Sequence, residues 1–363
     1  MNKHEIVIAV TGLNATENPG PGVGVIRAIR EAAGPRASIV GLSYDPLDPG
    51  VYMTGICDHV YLIPYPSQGT AALLARLEEI HAKTPIDVIV PTLDSELQAY
   101  LRLAPELERM GIRSFLPSEE SLKICNKAKF SQLRETHGIN VPKGRAITDP
   151  KALYRLEDEF TFPIMVKGQF YEAEIAHSPG EAEPIFRRLS TQWGLPVVVQ
   201  EYIFGEEYDI AAVGNDQGRL VGAIPMRKLR LTDKGKAWGG ITIEDPDMNA
   251  FARDVIRKLK WRGPCELEII KTRGDSKYYL IEINPRFPAW CYLCFGAGQN
   301  LPWACVRLAL GEDVEEFETY NVGAMFLRHS LDMVYPLSML EKLTTEGELH
   351  RDHPVAAAIR SNR

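Results

Sequence analysis

The feature that most constrains the fold is a change of rhythm along the chain. In the first third, short apolar runs alternate with stretches of helical periodicity. Ile6–Val10 reads as a strand, residues 25–33 as a helix with Val25, Ile26 and Ile29 on one side, and residues 38–42 as a second strand. Residues 70–81 follow as a helix, with Leu73, Leu74, Leu77 and Ile80 at helical spacing; residues 87–90 form a third strand and residues 94–110 another helix. That β/α order predicts a parallel, doubly wound sheet. From about Pro163 strands follow strands: 163–167, 171–176, 197–202, 207–213 and 220–226, interrupted by one helix at 180–190. A helix at 249–260, a hairpin of 265–270 with Tyr278–Asn284 around Arg273-Gly274-Asp275, and a helix at 301–310 complete an α+β texture. The last fifty or so residues show no clear period.

Length and composition narrow the functional classes. A chain of 363 residues suggests two or three domains, or one large multi-layer α/β unit. With 45% hydrophobic and 25% charged residues, it is neither a disordered chain nor a disulfide mini-protein. Lys and Arg number 41 against 48 Asp and Glu, so the net charge of −7 argues against a mainly electrostatic nucleic-acid binder. Anionic ligands need only local cations. No apolar stretch approaches the roughly 18 residues of a membrane span, and no cleavage site follows the short opening run. Six cysteines in so long a chain are expected to be reduced thiols, which favours a cytoplasmic protein. Cys291 and Cys294 form a CxxC, but no second CxxC or His pair lies near them in sequence, so two small buried residues one turn apart is the plainer reading.

Four segments carry chemistry. In 280–286, Leu-Ile-Glu-Ile-Asn-Pro-Arg, Glu282 and Asn284 leave the same strand face, with Arg286 just past the strand end. Glu266 and Glu268 share a face of the preceding strand. The hairpin can therefore gather hard oxygen donors of the kind Mg²⁺ takes. A solvated strand face with a turn-forming Asn-Pro is the structural alternative. In the second segment, Phe-Pro-Ile-Met-Val-Lys-Gly, Lys167 ends an apolar strand and suits a phosphate. In the third, Lys127 opens a helical segment running to Gly138, whose N-terminus favours an anion. The fourth is Gln200-Glu201-Tyr202-Ile203-Phe204-Gly205, a strand entering a Gly turn. Its free backbone groups can read a heterocycle edge, while Glu207 can accept from ribose hydroxyls. An edge lysine, a surface lysine and a plain turn are the structural alternatives for these three.

In this order and at these separations, the motifs resemble the ATP-grasp superfamily, most closely biotin carboxylase and the carbamoyl phosphate synthetase large subunit, over about residues 1–312. The resemblance implies a pre-ATP-grasp doubly wound domain (1–116), then an ATP-grasp fold (117–312) whose two α+β subdomains clasp ATP. The lid would lie at about 145–203, and 313–363 has no assigned role. It implies Lys127 and Lys167 as ATP lysines, Glu201, Tyr202 and Ile203 at the adenine hinge, and Glu207 at the ribose. Glu268, Glu282 and Asn284 would be ligands of Mg²⁺, or of Mn²⁺ in its place, and Arg286 the arginine of Asn-Pro-Arg. One departure is plain: the glycine-rich phosphate loop of biotin carboxylase is missing after Gly168. Lys228 or Lys236, from the basic cluster at 227–236, would close over the phosphates instead, unless that cluster is a solvated basic face.

The implied activity is an ATP- and Mg²⁺-dependent carboxylate–amine ligase working through an acyl phosphate. Its partners would be a small-molecule or peptide carboxylate and an amine, with no nucleic acid or membrane and with a homodimer compatible with the family. Bicarbonate phosphorylation toward carbamate or carbamoyl phosphate, a kinase-like reaction and a non-catalytic nucleotide-binding scaffold are the alternatives. Two further expectations concern the first domain. Gly12, Gly20, Gly22 and Gly24 invite a dinucleotide reading but do not form a clean GxGxxG. Asp94 and Glu96, beyond a strand end, are candidates for holding a substrate ammonium, with helix capping by Asp94 as the alternative.

Overall fold

The computed structural model describes residues 5–169, 172–215, 217–232, 235 and 237–350. Its strands fall into three sheets. In the first, β1 (Ile6–Val10), β2 (Ala37–Ser43), β3 (His59–Leu62) and β4 (Val88–Val90) run parallel in the order β3-β2-β1-β4. Alternation along β1 explains the two helical layers. Ile8 and Val10 pack with Val25, Ile26 and Ile29 of the helix Gly22–Ala33. Ala9 faces the other way, toward Leu73, Leu77 and Ile80 of Thr70–Lys83 and Leu97 and Tyr100 of Asp94–Arg109. Every residue of β2 is buried, as expected of a parallel strand covered on both faces.

The glycines after β1 have a packing role. A Cβ on Gly22 would lie 2.1 Å from the Thr11 carbonyl oxygen, so the strand end and the helix start touch through backbone. Their spacing is thus explained without a dinucleotide.

The second sheet contains β5 (Gly144–Ile147), β6 (Ile164–Lys167), β7 (Ala173–Ala176) and β8 (Val197–Glu201), antiparallel in the order β5-β8-β6-β7. The helix Pro179–Trp193 covers one face through Ala182, Phe186 and Leu189, packed on Ile164, Val166, Val197 and Val199. The third sheet is wholly antiparallel. Its strands β9 (Gly205–Asn215), β10 (Leu220–Leu231), β11 (Ala237–Thr242), β12 (Arg262–Thr272), β13 (Tyr278–Asn284) and β14 (Met325–Leu327) run in the order β13-β12-β9-β10-β11-β14. Ile210 and Ala212 of β9 face the helix Pro246–Leu259, while Ala211 and Val213 join the core shared with the first sheet and the helix Leu301–Ala309. The strongest hydrophobic layer therefore ties the first and third sheets together.

Two regions depart from the sequence reading. The stretch expected to run as one helix to Gly138 is broken. Ser118 caps a short helix, Glu119–Ile124, by accepting from the Ser121 N–H at 3.0 Å. Asn126 Oδ1 then accepts from the Ala128 N–H at 2.9 Å, an Asx turn that competes with helix, and only Phe130–Gln132 and Leu133–His137 are helical beyond it. Lys127 therefore sits in a turn rather than at a helix N-terminus. The apparently patternless tail is also structured. β14 extends the third sheet beside β11, and β15 (Glu348–His350) adds antiparallel to the β3 edge of the first. Three-residue strands are too short to show a period; pairing with distant strands defines them.

Candidate active site

The chemistry-bearing side chains gather on β9, β10, β12 and β13 and at the ends of β6 and β8. Strand register fixes the pairs. Glu266 lies opposite Asn284, and Glu268 opposite Glu282, so two carboxylate-bearing rungs stack on one face. Asp209 of β9 lies opposite Glu268 on its other side. Carboxylate oxygens of Glu207, Asp209 and Glu268 all lie within 4.8 Å of one another. The Asn284 amide donates to Glu268 Oε1 at 3.0 Å and to Glu266 Oε2 at 3.2 Å.

Burial first, then the crowding of like charges, sets the electrostatics. Burial, then the Glu282 and Glu266 carboxylates, push Glu268 up to about 7. Burial also raises Asp209 well above the usual carboxylate range, against the pull of Lys228. Lys228 bonds Glu207 at 2.5 Å and Asp209 at 3.2 Å. Its own burial works against its charge, but Asp209, Glu268 and Glu207 outweigh that effect and hold the ammonium above its ordinary value. A set of carboxylates that repel one another and share one lysine is a donor set suited to a divalent cation, which would relieve the repulsion.

Beside this cluster is a cavity lined by Lys127, Lys167, Cys125, Phe130, Val198, Gln200, Ile281 and Glu282. The two lysines come from separate parts of the chain and meet at Glu282, to which Lys127 is bonded at 3.4 Å. Burial, abetted by Lys127, lowers Lys167, while Glu282, Glu268 and Glu207 work the other way. Half of the lining is polar or charged, and its two cations suit an anionic group. Gln200 lines the cavity at the end of β8. Glu201 ends β8, its N–H donating to the Lys143 carbonyl at 2.8 Å, and Tyr202 and the buried Ile203 follow in the link to β9.

Arg286 joins the start of the helix Asp94–Arg109 to the carboxylate rungs. Its NH1 donates to Glu266 Oε2 at 2.8 Å and its Nε to Asp94 Oδ2 at 3.1 Å. Trp290 Nε1 donates to the other Glu266 oxygen at 2.8 Å. Asp94 thus reaches the site, though as a partner of an arginine. Glu96 does not. It is fully buried and accepts from the Thr92 N–H at 2.7 Å, the Leu93 N–H at 2.8 Å, and the Thr11 and Tyr44 hydroxyls. Glu96, rather than Asp94, closes the start of its helix, and the expected ammonium contact is replaced by a structural carboxylate.

Two other expectations change. Lys228 is not on a solvated basic face: its side chain is 14% exposed and held by two carboxylates. Lys236 lies outside the described residues. Where the glycine-rich loop was missing in sequence, β6 and β7 form a hairpin in which the Gly168 N–H donates to the Glu172 carbonyl at 3.0 Å. Sequence reading missed Asp209. The available signal was an acid two places after Glu207 inside an otherwise apolar strand, which puts both on one face.

Comparison with known proteins gives a concordant picture. Residues 195–326 match a family model described as ATP-grasp in the biosynthetic pathway with Ter operon. The carbamoyl phosphate synthase large chain of Saccharolobus islandicus is 27% identical over 203 residues, covering 51% of this chain. The match spans only 19% of that relative's length. The fold superposes on a biotin carboxylase–β-γ-ATP complex from Campylobacter jejuni with a TM-score of 0.68, at 16% identity and over 90% of this chain and 75% of that one. An L-amino acid ligase from Bacillus licheniformis gives 0.61, at 16% identity and over 84% and 74%. Among the described residues no helix is long and apolar enough to cross a membrane. The family match lies over residues 195–326, and the fold is similar to those of these solved structures.

Proposed function

We propose that the protein is an ATP- and Mg²⁺-dependent ligase that joins a carboxylate to an amine through an acyl phosphate, releasing ADP and phosphate. The observation that carries this reading is the meeting of Lys127 and Lys167 with Glu282, beside the rungs of Glu268 and Asn284 and next to Arg286. In this reading the nucleotide base enters the cavity near Gln200–Ile203, with Glu207 at the ribose. Lys127 and Lys167 neutralise phosphate oxygens. Glu268, Glu282 and Asn284 hold Mg²⁺, with Asp209 completing the acidic wall. When bound, the cation supplies charge neutralisation at the phosphates. Lys228 balances the carboxylates and is available to the transferring phosphoryl group. Arg286 orients the substrate carboxylate.

A carboxylate resists amine attack because oxide would have to leave. Attack of a carboxylate oxygen on the γ-phosphorus breaks the bond to ADP and forms an acyl phosphate. A neutral amine then adds to the carbonyl carbon, phosphate departs, and the amine gives up a proton. The protein's contribution is positioning and charge neutralisation.

The test is ADP release with Mg-ATP, comparing pooled amino acids with bicarbonate plus ammonium. Release that requires an amino acid and vanishes in Glu282→Ala supports the ligase. Release that follows bicarbonate replaces it with the carbamate-forming reading, which the carbamoyl phosphate synthase match favours. Mg-ATP binding without metal-dependent turnover of any carboxylate leaves the nucleotide-binding scaffold.

A further inference from the structure

The two carboxylate rungs of the third sheet differ in what surrounds them. Glu268 has acids on both sides, Glu282 across one strand pair and Asp209 across the other. Glu266, two residues earlier on the same face, has Asn284 on one side and Ala211 on the other. Glu266 is buried, at 7% exposure, and both of its oxygens are met by donors. Oε1 accepts from Trp290 Nε1 at 2.8 Å. Oε2 accepts from Arg286 Nη1 at 2.8 Å and from the Asn284 amide at 3.2 Å. Three side-chain donors thus crowd a carboxylate that has room for about four. A cation binding Glu266 would have to compete with them, so this acid, which reads as a ligand in sequence, is not placed as one.

What Glu266 fixes is the amide of Asn284. That amide has two N–H groups, and both are spent on acids, one on Glu266 and the other on Glu268 Oε1 at 3.0 Å. The flipped amide would set its oxygen against two carboxylate oxygens with no proton between them, which repels. The amide oxygen is therefore turned away from both acids. The same Glu266 oxygen holds Arg286, whose Nε reaches Asp94 Oδ2 at 3.1 Å at the start of the helix Asp94–Arg109. One carboxylate thus sets the orientation of two side chains that the proposed reaction uses.

We propose that Glu266 is a positioning residue: it directs the Asn284 oxygen toward the cation and holds Arg286 against the helix Asp94–Arg109, without itself binding the cation. The part given to Asn284 rests on the ligase reading above, but the orientation of its amide does not require it. Replacing Glu266 by glutamine keeps the size and puts an NH2 group where donors already converge. Either Trp290 or the Asn284–Arg286 pair then loses its acceptor.

The test compares the full chain with Glu266→Gln, Glu266→Asp and Trp290→Phe. Mn²⁺ binding in the presence of ADP is followed by the electron paramagnetic resonance signal of the free ion. The parent chain is expected to bind Mn²⁺, and Glu266→Gln to bind it about tenfold more weakly, the scale of losing a group that orients a metal ligand. Glu266→Asp keeps the charge on a shorter stem and should fall between; it carries the comparison if Glu266→Gln does not fold. Trp290→Phe leaves the Asn284 and Arg286 bonds in place and should change Mn²⁺ affinity least. ADP binding without metal should be the same in parent and variants. The second readout needs no metal. With asparagine labelled with nitrogen-15, the Asn284 side-chain amide is identified by its loss in Asn284→Asp. Its hydrogens should exchange slowly in the parent chain and faster in Glu266→Gln. A merely structural role would lower the unfolding midpoint and leave the Mn²⁺ affinity of the folded molecules alone. Unchanged Mn²⁺ affinity in the folded Glu266 variants, an equal loss in Trp290→Phe, or equal amide exchange in parent and Glu266→Gln would overturn the positioning role. Failure of the parent chain to bind Mn²⁺ with ADP would overturn the metal-dependent ligase reading, and the exchange comparison would then decide alone whether Glu266 orients Asn284.

Discussion

Two acidic sites in this molecule solve burial in opposite ways. Glu96, behind the first sheet, is surrounded by donors: two backbone N–H groups and the hydroxyls of Thr11 and Tyr44. Burial raises its pKa, and all four hydrogen bonds pull the other way. Glu268, on the third sheet, is surrounded mainly by carboxylates, with one amide donor and one lysine in reach of the cluster. The first arrangement is complete in itself. The second is left unsatisfied by the protein and, in the proposed function, a cation would complete it. Burial of an acid therefore does not mark function; the identity of its neighbours does.

That contrast can be broken most directly at Glu282. Glu282→Ala should lower ADP release by at least about a hundredfold, the scale of a lost transition-state electrostatic contact, with the fold intact by circular dichroism. An active Glu282→Ala enzyme would remove the acidic rungs from the chemistry. Glu96→Ala should do the reverse. Leaving several buried donors unpaired should cost about 3 kcal/mol in urea unfolding, with turnover per folded molecule unchanged. Lys167→Ala should weaken ATP use by about tenfold to a hundredfold, one charged hydrogen bond's worth; unaltered ATP kinetics in a folded variant would sink that role.

The smaller effects sharpen the same distinction. Glu268→Gln removes a like charge opposite Glu282, so without metal it should unfold no earlier than the parent chain, and by up to about 1 kcal/mol later. Metal-dependent turnover should nevertheless be lost. The pH dependence follows from the same crowding. With Glu268 near 7 in the folded chain and an ordinary value near 4.5 when unfolded, the folded state holds more protons between those values. Its contribution to stability therefore falls as pH rises through that window. Mg²⁺ binds the ionised form, so the gain in melting temperature with Mg²⁺ should be greater at pH 8 than at pH 6, and binding near pH 6 should release a proton measurable by calorimetry in two buffers. Equal gains at both values would place the cation elsewhere.

Legibility in the sequence followed the range of the interactions. Tyr278–Asn284 has apolar residues alternating with Glu282 and Asn284, and the strand has those bounds. The β/α alternation of β1, β2 and β4 with their helices was also readable, because each of those elements has its own period. What escaped depended on distant partners. β3 shows only two fully buried residues, and β14 and β15 exist through pairing with β11 and β3. Glu96 looked like a ligand because nothing in its own segment reveals that Thr11 and Tyr44 converge on it. Asp209 was visible as an acid in an apolar strand, yet its part in the cluster follows from the β9–β12 register.

The antiparallel addition of β15 to β3 has a consequence for biosynthesis. His59 and His350 are neighbours across that edge, yet 291 residues separate them. As the chain leaves the ribosome, the parallel sheet can assemble early, but its β3 border then shows unpaired backbone to the surroundings until residues 348–350 have been made. Nascent chains stalled before residue 348 should therefore be the aggregation-prone species, and chaperone occupancy should fall once that short strand emerges.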